Sequence, residues 1–358
     1  MGRRSGSVQA SFAPIFQASR ERVKIKAACA GKRCKSSLVR CWAVQNKISK
    51  KNPRTEPADK KQFLGNSRLG ILEFLKILYR RFIMLNTCLF PAAGYGTRFL
   101  PATKSLPKEM LPILTKPLIH YGVDEALEAG MRNMAFVTGR GKRALEDYFD
   151  ISYELEHQIA GSKKEYLLTE IRELMSACSF SFTRQNEMKG LGHAIYSGKN
   201  LVGDEAFGVI LADDLCINED GAGVMSQMSA IYEKYRCSVV AVMEVNDESI
   251  QNYGVVAGKG IDGDLVMISD MIEKPEPAKA PTNLAIIGRY ILTPDIFEVL
   301  STTAPGKNGE IQITDALLKQ AQNGMVLAYK FKGKRFDCGS VAGFVEATNY
   351  FYNLEKKC

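Results

Sequence analysis

An α/β fold, with helices on both faces of a mixed but mainly parallel sheet, is what this sequence predicts for residues 84–358. Three observations predict it. Of the 358 residues, 46% are apolar, enough to bury a sizeable core. Apolar, β-rich runs alternate with longer helix-like segments, the rhythm of strand–helix–strand units. Toward the C-terminus the strands draw closer together, which adds antiparallel pairing to the parallel framework.

Taken in order, the run 87–93 is the first strand, and 134–138, 179–184, 207–212 and 237–245 are the next. Between them, 117–130, 141–159 and 222–235 read as helices. After Tyr253, strands at 253–258, 265–273, 284–291 and 326–331 are expected to form an antiparallel addition, and 341–356 to close the chain as a helix. No internal repeat is present.

The net charge of +9 is unevenly placed. Residues 1–83 hold 20 Lys and Arg against 4 Asp and Glu, whereas residues 84–358 hold 28 against 35. The basic character therefore belongs to the N-terminal extension. Its basic pairs (Arg3 and Arg4, Lys50 and Lys51, Lys60 and Lys61, Arg80 and Arg81) and weak periodicity before Gly70 are those of a disordered segment. Glu73, Lys76, Arg80 and Arg81 interrupt the apolar stretch 69–85, so it cannot cross a bilayer unaided and reads at most as an amphipathic helix. Residues 1–20 hold Arg and Ser and no acid, as transit peptides do, without a secretory apolar core. Met84 stands three residues before the first strand, and the expectation is that 1–83 is an overextension upstream of the working start; a nucleic-acid or membrane arm and a targeting segment are the alternatives. The extension lacks aromatic interleaving or any recognised module, so nucleic acid is not expected as a partner, and with 69–85 unable to span a bilayer no membrane is expected either. Nine scattered cysteines with no C-x-x-C, and three histidines at 120, 157 and 193, offer no zinc spacing and point to a reduced, cytoplasmic interior.

The stretch "FPAAGYGTRFLPATKSLPKEMLP", residues 90–112, begins at the carboxyl end of the first strand, where open α/β sheets bind ligands. Gly94 and Gly96 let the backbone approach a phosphate chain, with the hydroxyl of Thr97 beside them, and Arg98 and Lys108 supply cations. Phe99 stands where a dinucleotide-binding G-x-G-x-x-G needs its third glycine, and no Gly-Lys-Ser/Thr follows, so neither common nucleotide motif fits. Asp213 and Asp214 end an apolar run at a strand's carboxyl end; adjacent strand side chains face opposite ways, so one of the two enters the cleft.

G-x-G-T-R followed by P-K-E-M-L-P resembles the signature of sugar-nucleotide pyrophosphorylases, and the chain is similar in particular to the bacterial UTP–glucose-1-phosphate uridylyltransferases. Further matches follow in order: "FTRQNEMKGLGHA" (182–194), "VILADDL" (209–215), "YGVV" (253–256), "IEKP" (272–275), "NLAIIGRYILTPDIF" (283–297), "GEIQITDAL" (309–317) and "FDCGS" (336–340). The resemblance implies a Rossmann-like three-layer α/β/α sandwich of the nucleotide-diphospho-sugar transferase type. It implies in-line attack by the phosphate of glucose 1-phosphate on the α-phosphorus of UTP, with Arg98 and Lys108 on the phosphates. Ala92, Ala93 and Gln185 would read the uracil edge, with Gly94, Gly96, Thr97, Gly190 and Gly192 lining the nucleotide. Glu273 and Lys274 would take sugar hydroxyls and sugar phosphate, with Gly254 and Asn283 beside the hexose. Mg²⁺ would lie between Asp213 and Asp337, Asp214 supporting the loop.

The attacking phosphate is already an anion, so no proton abstraction is required and His193 is assigned no role. Thymidylyl or cytidylyl transfer to a hexose 1-phosphate stays open, because one methyl group discriminates by only about 1–3 kcal/mol. A non-catalytic, nucleotide-sugar-binding regulatory relative is the other alternative; Arg98, Lys108, Asp213, Lys274 and Asp337 are all present, which favours the enzyme. A homodimer or homotetramer is expected from the resemblance.

Overall fold

A computed structural model describes residues 85–306 and 309–356; the expectations for residues 1–83 and for Met84 lie outside the described residues. In chain order the strands are β1 (Thr87–Ala92), β2 (Pro112–Ile113), β3 (Lys116–Pro117), β4 (Asn133–Thr138), β5 (Ser179–Arg184), β6 (Phe207–Ile210), β7 (Asp214–Ile217), β8 (Ser238–Glu244), β9 (Gly254–Asp262), β10 (Leu265–Glu273), β11 (Leu284–Leu292), β12 (Val326–Lys330) and β13 (Lys334–Asp337). Nine of them form one sheet in the order β5, β4, β1, β6, β11, β8, β12, β10, β9. Two ribbons, β2 with β3 and β7 with β13, stand outside it.

The sheet has apolar cores on both faces, and the strands show why. In β1, Leu89 packs into one buried cluster while Cys88, Phe90 and Ala92 pack into the other; in β8, Val240 and Val242 face one way and Val239 and Ala241 the other. Strands covered on both faces lose polar alternation and become continuous apolar runs, which is what made them visible in the sequence. Helices Leu118–Glu128 and Val224–Tyr235 contribute to one core, and helices Leu191–Ser197, Ile296–Thr302 and Ile313–Asn323 to the other, giving the expected helix–sheet–helix layering.

Two expectations need correction. β11 is not part of a peripheral antiparallel addition. It runs antiparallel between β6 and β8 in the interior of the sheet, and all nine of its residues are buried, because both edges are paired and both faces covered. β12 runs parallel to β8, so the peripheral antiparallel hairpin is β9 with β10. The segment 141–159 is two helices, Arg143–Tyr148 and Tyr153–Ile159. Leu145 and Phe149 are buried, Phe149 stacking on Phe180 at 4.5 Å, but the second helix buries none of its residues, so no apolar stripe carries one helix through. Among the described residues no helix is long and apolar enough to cross a membrane.

Candidate active site

Two cavities meet at the turn that follows β6. Strand β6 stops at Ile210, two residues earlier than the apolar run suggested, because Leu211 to Asp214 form a turn in which the Asp214 N–H donates to the Leu211 carbonyl (3.1 Å). Asp213 sits at the third position of that turn. With Leu191, Leu211 and Glu310 it belongs to the walls of both cavities, one of about 370 Å³ walled mostly by loops and one of about 480 Å³ walled mostly by strand ends.

The loop-walled cavity brings together Ala93, Gly94, Lys108, Gln185 and Gly190. Lys108 Nζ lies 2.5 Å from Asp213 Oδ2. Burial alone would lower the ammonium's pKa and raise the carboxyl's, but each partner outweighs that, holding Lys108 above and Asp213 below their ordinary values. Behind Lys108, buried Glu109 accepts from Lys142 Nζ at 2.7 Å, which ties this loop to the one after β4. Gln185 is buried, and its amide nitrogen donates to the Gly190 carbonyl (3.2 Å) and lies 2.9 Å from His193 Nδ1. Those two contacts occupy the amide hydrogens and leave Oε1 as the acceptor that Gln185 can offer. His193, assigned nothing from sequence, thus helps to orient Gln185.

Glycine has a specific reason at two of the expected positions. Gly190 has φ +91°, and a Cβ there would fall 2.8 Å from Glu310 Cβ; at Gly192 it would fall 2.7 Å from the Ile311 carbonyl oxygen. Both glycines let the segment 310–311 pack against this loop, and Gly192 is buried outside the cavity wall. Ala92 is likewise buried beneath the wall, and Gly96 and Thr97 lie outside it.

The strand-walled cavity gathers Arg98, Tyr253, Gly254, Glu273, Lys274, Thr314, Arg335 and Asp337. Arg98 is exposed and reaches the Gly339 carbonyl at 3.4 Å, so it opens onto this cavity rather than the one beside Gly94. Glu273 Oε2 accepts from the Thr314 hydroxyl (3.1 Å), and Lys274 Nζ is 3.4 Å from Glu273 Oε1. A Cβ on Gly254 would meet Thr314 Cγ2 at 2.6 Å, so glycine is what lets β9 pass this pair. Asn283 is exposed at the start of β11 and belongs to neither wall.

Asp214 also borders this cavity, but its carboxylate is already engaged. It accepts from Arg335 Nε at 2.5 Å and from the Gly288 N–H at 2.9 Å, while Arg335 Nη1 donates to the Tyr253 hydroxyl at 2.8 Å. Burial raises the Asp214 carboxyl's pKa despite Arg335. Asp214 and Asp337 face each other across the β7–β13 ribbon, whose short strands gave no periodic signal. Arg335 was missed; its place two residues before Asp337, on the same face of a strand, was the available clue.

Asp213 and Asp337 converge beside Gly339. A Cβ there would lie 2.9 Å from Asp213 Oδ2, 3.1 Å from Asp337 Oδ1 and 3.4 Å from Arg98 Nη1, so the absence of a side chain leaves a small cradle bordered by two carboxylate oxygens, the first also paired with Lys108, and by one guanidinium. Another acidic cluster, His120 with Asp124 and Glu170, lies away from the cleft, and there Lys116 Nζ is ion-paired with both carboxylates.

A layered α/β chain whose strand ends present carboxylates and cations to one divided cleft is built to handle phosphate-bearing ligands. The chain belongs to the nucleotidyl transferase family, whose model matches residues 90–353. A UTP–glucose-1-phosphate uridylyltransferase of Pseudomonas aeruginosa is 65% identical over 269 residues, 75% of this chain and 96% of that protein. Among solved structures, an apo UDP-glucose pyrophosphorylase aligns with a TM-score of 0.74 at 60% identity, covering 76% of this chain and 100% of the other. A UDP-glucose pyrophosphorylase complexed with UDP-glucose aligns with a TM-score of 0.71 at 58% identity, covering 75% and 99%. These relatives bear out both the resemblance drawn from the motifs and the α/β fold.

Proposed function

We propose that this protein transfers a uridylyl group from UTP to glucose 1-phosphate, giving UDP-glucose and pyrophosphate, as a cytoplasmic, Mg²⁺-using homodimer or homotetramer. The observation that carries this reading is the position of Asp213: one carboxylate stands where two cavities join, with Lys108 on one side and Arg98, Glu273 and Lys274 on the other. A reaction that joins two phosphate-bearing substrates needs such a junction.

In this reading UTP enters the loop-walled cavity, its base against Ala93 and the free Oε1 of Gln185 and its phosphates along Gly94 toward Lys108. Glucose 1-phosphate enters the strand-walled cavity, with Glu273 accepting from hydroxyls and Lys274 gripping the phosphate. A phosphate oxygen of the sugar attacks the α-phosphorus, the bond to the β-phosphate oxygen breaks, and pyrophosphate leaves. No protein group has to take a proton; the chain aligns two polyanions and screens their repulsion with Arg98 and Lys108. Asp213 and Asp337 fit a small, hard cation, since the cradle beside Gly339 offers two carboxylates and Mg²⁺ commonly takes one or two carboxylates plus substrate phosphates. Bound there, Mg²⁺ would neutralise charge as the new bond forms. The five described cysteines are free thiols, in keeping with a reducing cytoplasm.

The test is pyrophosphate release with glucose 1-phosphate and Mg²⁺ across UTP, dTTP, CTP, ATP and GTP. UTP should give the highest kcat/KM; turnover led by dTTP or CTP would reassign the nucleotide, and no turnover with any would refute the enzyme.

A further inference from the structure

Behind the Asp213 turn lies an ion pair that the reaction does not touch. Arg289 is the one charged residue of β11 and is 1% exposed, and Glu125, on helix Leu118–Glu128, is 8% exposed. Arg289 Nε lies 3.2 and 3.0 Å from the two Glu125 oxygens, and Nη2 lies 2.6 Å from Oε2. The remaining arm, Nη1, donates to the Leu211 carbonyl at 3.2 Å. That oxygen is the one that also accepts the Asp214 N–H and so closes the turn. The turn is fastened to β11 twice more: the Leu211 N–H donates to the Gly288 carbonyl (2.8 Å), and the Gly288 N–H donates to Asp214 Oδ2 (2.9 Å).

Buried ion pairs are on the whole no better for stability than well-packed apolar residues of similar volume, so folding alone gives little reason for one inside an otherwise apolar strand. An arginine fork can hold a carboxylate and a carbonyl at once, with its orientation fixed by the carboxylate. We propose that Glu125 and Arg289 are positioning residues for the transfer reaction: the pair fixes the Leu211–Asp214 turn and thereby the place of Asp213 between the two cavities. The proposal rests on the cleft being the transfer site.

The experiment compares wild type, the apolar double variant Glu125→Leu with Arg289→Met, and Arg289→Lys. Melting temperature, UTP affinity by calorimetry, and kcat and KM for both substrates are measured on each. Turnover by wild type tests the reading of the cleft by itself, and its absence would overturn that reading and this proposal with it. With wild type active, the double variant should fold and bind UTP, yet lose about a hundredfold in kcat with little change in KM, the scale of a roughly 1 Å misplacement. A stable double variant with wild-type kcat would overturn the proposal. If that variant does not fold, Arg289→Lys decides. Its ammonium keeps a charge beside Glu125 without the fork, and kcat should fall at least about tenfold while UTP affinity holds. A folded Arg289→Lys with unchanged kcat, or with activity lost only in proportion to unfolded protein, would overturn it equally.

Discussion

Around the loop-walled cavity, nothing lies within 4 Å of where a side chain on Gly94 would begin, Tyr95 is 71% exposed, and the wall is carried by turns. Around the strand-walled cavity, Asp214, Arg335 and Tyr253 form one hydrogen-bonded chain and Glu273 and Thr314 another, held by strands, by a helix start and, at Tyr253, by the bend that leads into β9. The first side leaves backbone open at Gly94 and Tyr95 beside the hydrogen-bonded Lys108 and Gln185, and the second is tied across its strands by side chains. Preorganised groups lose little freedom on binding, whereas loops must be ordered by what they bind. On the function proposed above, the strand-walled side should therefore respond to single substitutions through affinity for one substrate, and the junction between the cavities through turnover.

Asp213→Asn tests the junction and should have the largest effect. It keeps the shape and removes the charge shared by both cavities, so kcat should fall at least about a hundredfold in steady-state assays, beyond what the lower melting temperature expected from an unpaired Lys108 accounts for. Near-normal turnover in a folded Asp213→Asn protein would remove Asp213 from the chemistry. Asp214→Asn strikes the prewired side through stability. It leaves Arg335, whose side chain is 8% exposed, without its closest carboxylate, and denaturant unfolding should show a loss of about 3 kcal/mol, the scale of breaking a buried ion pair. Unchanged unfolding would mean that the Asp214–Arg335–Tyr253 chain is not the scaffold described here.

Lys274→Ala sharpens the comparison further. Lys274 is exposed, so little stability should be lost, but the KM for glucose 1-phosphate should rise about tenfold with the KM for UTP almost unchanged, as expected for one charge-assisted phosphate contact. Equal rises in both would erase the division of the cleft. The smallest effect is expected from starting the chain at Met84: among the described residues every wall residue of both cavities lies downstream, so kcat/KM and melting temperature should match those of the full chain. Loss of active, soluble protein would give residues 1–83 a part to play.

The same contrast explains what could be read in advance. Gly94, Lys108, Gln185 and Gly190 lie in two contiguous motifs, and loops that carry binding groups keep those groups close in sequence. The strand-walled side is assembled from Tyr253, Glu273, Thr314 and Arg335, and no local pattern says that these meet. Gly192 was legible as a needed glycine but not as a packing glycine, since its neighbour Ile311 is remote in the chain. Arg289 left a trace, one charge in "LAIIGRYIL", but its partner Glu125 sits 164 residues earlier. β11 was recognised as a strand and misplaced, because a run's composition reports that it is buried and not which strands flank it.

That strand has a consequence for how the molecule is made. β6 and β8 do not pair with each other; β11 lies between them and joins β5, β4, β1 and β6 to the rest of the sheet. A ribosome delivers β6 well before β11, and at about 5–20 residues per second the stretch from Ile210 to Leu284 takes about 4–15 s. Throughout that interval the nascent chain carries an apolar strand with one unpaired edge, the kind of edge that recruits strands from other chains. The window closes only when the segment bearing Arg289 emerges, so the arrival of that strand covers the open edge of β6 and braces the Asp213 turn in a single event, leaving only β12 to be added to the sheet.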